Sequence, residues 1–212
     1  MGPKTEKLLS VLKLQPVVPV LIIEDAAKAV PLARALVAGG LKAIEITMRT
    51  EAALEAVRLV ANEVEGAVAG AGTILNAAHY EAAVAAGSQF IVSPGTTHEL
   101  LDAARKSDIP LLPGAATASE VMALREEGYR VLKFFPAEQA GGAAYLKSLS
   151  SPLAGTVFCP TGGISLKNAR DYLSLPNVIC VGGSWVAPKE LVDAGDWAGI
   201  TKLAAEAAAL AG

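Results

Sequence analysis

A single (β/α)8 barrel of the TIM type, with one extra helix at its N-terminus, is the fold that the 212-residue sequence predicts. Three observations carry it. Apolar, β-branched runs recur eight times along the chain, Ala-, Leu- and Glu-rich stretches separate them, and small, flexible residues follow run after run. Strand starts lie about 20 to 26 residues apart, room for strand, turn and helix, and alternation at that period implies parallel strands covered by helices.

Residues 3–15, PKTEKLLSVLKLQ, are expected to form the extra helix, closing the end of the barrel opposite its catalytic rim. The strands follow as VVPVLII (17–23), KAIEI (42–46), GAVAG (66–70), QFIVS (89–93), IPLLP (109–113), RVLKF (130–134), TVFCP (156–160) and NVICV (177–181). Between the first two, AAKAVPLARALVAGG sets Val30, Ala33, Leu36 and Val37 on one apolar stripe. KLAAEAAALAG reads as the final helix. Barrels of this kind usually need about 250 residues, so the chain is a compact example with short loops. A doubly wound open sheet is the structural alternative. That fold is expected to carry one nucleotide-type turn at its switch point. Here GAGT, SPGT, PGAAT, FPAEQAGG, TGGIS and GGSW each follow a strand. Such residues belong to the C-terminal rim of a barrel, where catalysis is located. No linker or change of composition interrupts the pattern, so residues 1–212 read as one domain.

Composition narrows the function. With 52% hydrophobic and 18% charged residues the chain can bury a large core. No apolar run approaches the roughly 20 residues that cross a bilayer, and MGPKTEKLLSVLKLQ lacks a signal peptide's apolar stretch, so a cytoplasmic protein is expected. A net charge of −3, with Lys and Arg scattered, argues against nucleic-acid and membrane-surface partners. Cys159 and Cys180 sit in apolar segments and read as small hydrophobes, not as a disulfide. His79 and His98 show no ligand spacing with them, so no metal is expected.

Two charges fall inside strands. Side chains alternate across a strand, so Ala43, Glu45 and Thr47 share one face and Ile44 and Ile46 the other. If the isoleucines meet the helices, Glu45 points inward. The same count puts Val131, Lys133 and Phe135 together, opposite Leu132 and Phe134. A buried Lys–Glu pair could simply hold a polar layer of the barrel together, but such pairs cost several kcal/mol per ion and add doubtful stability. The catalytic reading uses that cost. Taking water from an ammonium favours the neutral amine, which can attack a ketone and form a Schiff base. Glu45 on the neighbouring wall would then move protons as general acid/base. Arg49, just past the second strand, could clamp a carboxylate with its planar fork, or pair with Glu51 or Glu45. After the last two strands, Gly162, Gly163, Gly182, Gly183 and Ser184 could cradle a phosphate, as βα loops at that place in barrels do. Trp185 and Trp197 read either as core packing or as a subunit contact.

Assembled, these residues resemble the 2-keto-3-deoxy-6-phosphogluconate (KDPG) and 4-hydroxy-2-oxoglutarate (KHG) aldolase family over nearly the whole chain. The resemblance rests on PVVPVLII (16–23), ALVAGGLKAIEITMRT (35–50), GAGT (70–73), SPG (93–95), KFFPAE (133–138) with GG (141–142), FCPTGGIS (158–165) and VGGSW (181–185). It implies a class I aldolase of the Entner–Doudoroff pathway that works without metal or other cofactor and forms a homotrimer. By resemblance, Lys133 is the Schiff-base nucleophile and Glu45 the acid/base, while Arg49 and Thr73 bind the pyruvyl carboxylate. Pro94, Phe135 and Thr161 line the pocket, and the glycine loops with Ser184 take the 6-phosphate. Two stretches depart from the pattern: Ala115 stands where a bulkier aliphatic residue is expected, and GTTHE (95–99) is unfamiliar. Two rival functions remain. A phosphate-binding barrel isomerase or synthase would share the glycine loops but leave Lys133 unexplained, and a non-catalytic phosphosugar-binding barrel would use Lys133 and Arg49 as anion ligands.

Overall fold

The computed structural model describes residues 2–210. In chain order it runs α1 (Pro3–Leu12), β1 (Val17–Leu21), a 3-10 turn (Ala26–Lys28), α2 (Ala29–Ala38), β2 (Ala43–Thr47), α3 (Ala53–Glu63) and β3 (Val68–Gly72). There follow α4 (Ala77–Ala85), β4 (Phe90–Val92), α5 (His98–Lys106), β5 (Leu111–Leu112), β6 (Gly114–Ala115), α6 (Ala118–Glu126) and β7 (Val131–Phe134). The last part comprises α7 (Gly142–Leu149), β8 (Val157–Pro160), α8 (Ala169–Leu173), β9 (Val181–Gly183), α9 (Lys189–Ala194) and α10 (Trp197–Ala208).

Every strand pair is parallel, as the alternation of strand and helix requires. The strands do not form the one closed eight-stranded sheet expected from the sequence. They lie in a six-stranded sheet, ordered β5-β4-β3-β2-β1-β9, and a three-stranded sheet, β6-β7-β8. Two local features divide them. Pro113, the last residue of the fifth run, separates β5 within that run from β6 just beyond it, because it has no N–H to give to a ladder. Its carbonyl still accepts from Lys133 N at 2.8 Å. At the other seam, β8 meets the final run only through the isolated bridges Phe158–Val178 and Thr161–Gly182. Their registers differ by one residue, a bulge that interrupts regular pairing. The last regular strand consequently sits at Val181–Gly183, beyond the expected 177–181.

Two layers of apolar side chains result. Leu8, Val11 and Leu12 of α1 plug one end of the interior, packing with inward residues such as Val18, Ala43, Phe90 and Val131. The two buried cysteines join this cluster as free thiols. Ile44, Ile46, Leu132, Phe134 and Phe158 face the other way, into the layer beneath the helices, where Trp185 and Trp197 also pack. The expected helix over 3–15 stops at Leu12. Gln15 instead turns back into the sheet, its Nε2 donating to Val17 O and Ala43 O at 3.0 and 2.8 Å. Its Oε1 accepts from Lys42 N and Ala43 N at 2.6 and 2.9 Å. One buried side chain thus completes the backbone pairing where β1 and β2 begin. Lys4 Nζ donates to Ala104 O and Arg105 O at 2.8 and 2.9 Å, anchoring α1 to the end of α5, where carbonyls lack helical partners. At the start of α6, Thr117 and Glu120 form a reciprocal cap. The backbone amides of Ala116 and Thr117, with the Thr117 hydroxyl, hold the Glu120 carboxyl below its ordinary range.

Candidate active site

β2 and β7 place Glu45 and Lys133 inside the strand layer. Their inward neighbours, Ala43 and Val131, belong to the inner core, as the period of two demands. Lys133 is 5% exposed and Glu45 3%, and Nζ donates to Glu45 Oε1 at 3.3 Å. The pairing that the structural reading of these charges required is therefore present, and so is the geometry for proton exchange. The ammonium also lies 5.2 Å from the centre of the Phe135 ring.

Glycines make the room. Glu45 is in register with Gly70, and a Cβ on Gly72 would stand 2.0 Å from Glu45 Oε1. On β7, Lys133 lies opposite Gly114 on one side and Cys159 on the other. A Cβ on Gly114 would meet the Pro94 carbonyl oxygen at 2.2 Å, so Pro94 closes over the strand beside the lysine. The resemblance named Pro94 but not Gly72 or Gly114. Alternating glycines in VAGAG (68–72), on the face that Glu45 shares, are the signal for Gly72.

Arg49 and Thr73 come together at the ends of β2 and β3, Arg49 Nε donating to Thr73 Oγ1 at 3.2 Å. Thr73, rather than Glu51 or Glu45, is thus the partner of Arg49. Thr73 holds φ at 59°, alone among the described non-glycine residues in the left-handed region. A threonine there costs on the order of 1–3 kcal/mol, strain of the kind that collects at ligand sites.

Thr161 directly follows β8, buried, with an Oγ1 that finds no partner within the protein. A Cβ on Gly182 would come within 2.3 Å of that oxygen, which explains the glycine across the bridge. The two glycine pairs serve different needs. Gly162 and Gly163 adopt φ of 103° and 75°, which other residues avoid. Gly183 lies against the Trp185 ring, which any side chain would strike. Ser184 is exposed beyond it and borders a cleft of about 380 Å³ between the end of β1 and α9, whose wall includes Val20, Lys28 and Lys189. Among the described residues no group of three or more His, Cys, Asp or Glu side chains could hold a metal ion, and no helix is long and apolar enough to cross a membrane.

Residues 8–203 match the family described as KDPG and KHG aldolase. The chain belongs to this aldolase family. Among its members, the 2-dehydro-3-deoxy-phosphogluconate aldolase of Pseudoalteromonas atlantica is 53% identical over 92% of this chain and 90% of its own length. The KHG/KDPG aldolase of Escherichia coli K12 is 50% identical over 93% of each chain. A crystal structure of the KDPG aldolase from Legionella pneumophila, with pyruvate captured as a covalent carbinolamine, superposes with a TM-score of 0.92 at 46% identity, over 94% of this chain and 97% of that one. The enzyme of Zymomonas mobilis ZM4, crystallised with 3-phosphoglycerate, superposes with a TM-score of 0.92 at 50% identity over 97% of both chains.

Proposed function

We propose that this chain is a class I aldolase that reversibly cleaves 2-keto-3-deoxy-6-phosphogluconate to pyruvate and glyceraldehyde 3-phosphate through a Schiff base on Lys133. The same site would cleave 4-hydroxy-2-oxoglutarate to pyruvate and glyoxylate. One observation carries the reading: a nearly fully buried amine, 3.3 Å from an equally buried carboxylate, inside the strand layer between β2 and β7.

Glu45 takes a proton from Nζ, and the neutral amine adds to the substrate C2 carbonyl to give a carbinolamine. Glu45 returns the proton to the departing hydroxyl, which leaves as water, and an iminium forms. The C3–C4 pair of electrons flows into that iminium as Glu45 removes the C4 hydroxyl proton, releasing the aldehyde and leaving an enamine. Protonation at C3 and hydrolysis return pyruvate and Lys133. The iminium is the electron sink, so the reaction calls for no metal or other cofactor.

Arg49, set by Thr73, is placed to grip the substrate carboxylate, with Thr161, Pro94 and Phe135 around the pyruvyl carbons. Gly162, Gly163, Gly182, Gly183 and Ser184 take the phosphate. The carbinolamine of the Legionella enzyme and the phosphorylated ligand of the Zymomonas enzyme support both halves of this assignment. The finer architecture belongs to the same reading. The two sheets are parts of one (β/α)8 barrel, continuous through Pro113 and the Thr161–Gly182 bridge, and residues 1–212 form one domain. Family resemblance implies a cytoplasmic homotrimer serving the Entner–Doudoroff pathway. Incubation with pyruvate and borohydride, followed by peptide mapping, tests the mechanism. A single reduced adduct on Lys133 is expected. No adduct, or one spread over surface lysines, would return the protein to an isomerase or a phosphosugar-binding barrel.

A further inference from the structure

The glycine loop after β8 is clamped through its carbonyl groups. Gly162 O accepts from Glu138 N at 3.1 Å, and Gly163 O accepts from Asn168 Nδ2 at 3.2 Å. Among the described residues neither glycine N–H donates to any group. With both carbonyls held by the protein, both amides are left for the rim. The two clamps meet on one helix. Asn168 is the residue preceding α8, and its Oδ1 also accepts from Ser165 N at 2.8 Å. One turn later Tyr172, fully buried, donates its hydroxyl to Glu138 Oε1. Glu138 packs tightly against the loop, for a Cβ on Gly163 would lie 2.6 Å from its Cγ. Glu138 stands just past β7, and the preceding Ala137 N donates to Thr161 O at 2.8 Å. The chain leaving the lysine strand and the loop leaving β8 are thereby one hydrogen-bonded unit.

We infer that Asn168 and the Tyr172–Glu138 pair are positioning residues, which aim the Gly162 and Gly163 amides at the phosphoryl group of the substrate. The inference rests on the phosphate assignment above and extends it to three side chains that touch no substrate. Their chemistry is specific. A phosphate bound by backbone amides needs those amides held still in a turn, and only neighbouring groups can do so when the turn is built of glycine. Loss of the Asn168 bond frees the Gly163 carbonyl directly, and loss of the Tyr172 bond releases the Glu138 side chain and with it the stretch whose backbone amide holds Gly162 O; either change turns a glycine amide away without altering the lysine and its carboxylate.

The test compares KDPG with unphosphorylated 4-hydroxy-2-oxoglutarate in steady-state kinetics of Tyr172→Phe, Asn168→Ala and Glu138→Gln, with inorganic phosphate as a competing probe. Tyr172→Phe and Asn168→Ala are expected to raise KM for the phosphorylated substrate roughly tenfold, the effect of one charge-assisted or well-placed hydrogen bond. KM for the unphosphorylated substrate and kcat for both should stay near wild type, and inhibition by phosphate should weaken in parallel. Glu138→Gln, which can still accept from Tyr172, should stay near the wild-type ratio of the two KM values. Equal losses on both substrates, or an unchanged ratio in Tyr172→Phe and Asn168→Ala, would overturn the inference. Asn168 lies at the surface end of the clamp, so its variant decides the matter if Tyr172→Phe does not fold. Ser184→Ala separates the two levels. If it leaves the KM ratio unchanged and phosphate does not compete in the wild type, the phosphate assignment itself is wrong. If both respond and the clamp variants do not, only the positioning role fails.

Discussion

Replacing Lys133 alone and then together with Glu45 asks whether their contact exists for stability or for chemistry. At 3.3 Å a unit-charge pair attracts by about 5 kcal/mol at an effective dielectric constant of about 20. Dehydrating the two ions costs several kcal/mol each, so the pair as a whole is close to neutral or unfavourable. Lys133→Met removes the attraction and strands a carboxylate that is 3% exposed. The expected loss is about 3 to 5 kcal/mol. Adding Glu45→Met removes the stranded charge and fills the space with apolar atoms. The double variant should recover the loss and match the wild type or exceed it, by up to about 4 kcal/mol. Both variants should be inactive and unlabelled by pyruvate and borohydride. Urea unfolding followed by the fluorescence of Trp185 and Trp197, at one fixed protein concentration, gives the three stabilities. A double variant that stays about 3 kcal/mol below the wild type would refute the reasoning, since the ion pair would then be a net stabiliser that needs no catalytic explanation.

Gly72→Ala should place a methyl group where Glu45 Oε1 now lies, 2.0 Å from the new Cβ. With the carboxylate displaced, turnover should fall by roughly 10² to 10⁴, the worth of a general acid/base, and an unchanged steady-state rate would reassign the proton carrier. Gln15→Leu deletes four hydrogen bonds to buried or half-buried backbone and should lower stability by about 3 kcal/mol in urea with little effect on KM. Burial pushes the Tyr129 phenol up to about 12. The native state therefore keeps a proton that the unfolded chain releases above pH ~10, and stability falls as pH rises through that window. Tyr129→Phe should flatten the alkaline limb of a stability–pH curve while leaving it unchanged near neutrality, and an equally steep limb would place the titrating group elsewhere.

The site was legible in unequal parts. Lys133 and Glu45 could be assigned to an inner face because strand alternation is local, and the inner-core positions of Val131 and Ala43 bear that out. The small residues at the rim were legible for the same reason. What holds them was not. Glu51 and Glu45 are the partners the sequence offers Arg49, and only the approach of β2 to β3 brings it Thr73 instead. Trp185 and Trp197 read equally as core or contact in the sequence; in the fold both pack against the outer core. Glu138 and Tyr172 lie 34 positions apart and carried no signal, because nothing in FPAEQ or RDYL announces a mutual contact.

By itself the sequence determined the order of strands and helices, their parallel sense, and the side from which each charged residue projects. These follow from periodicity and chain length, which neighbouring residues set without reference to the rest of the molecule. Tertiary structure decided that Glu45 and Lys133, 88 positions apart, meet at hydrogen-bonding distance. It also decided that regular pairing breaks at Pro113 and at the bulge beside β9, and that Gln15 joins β2. Such contacts depend on register, twist and the space left by glycines on adjacent strands, quantities that exist only once the strands lie side by side.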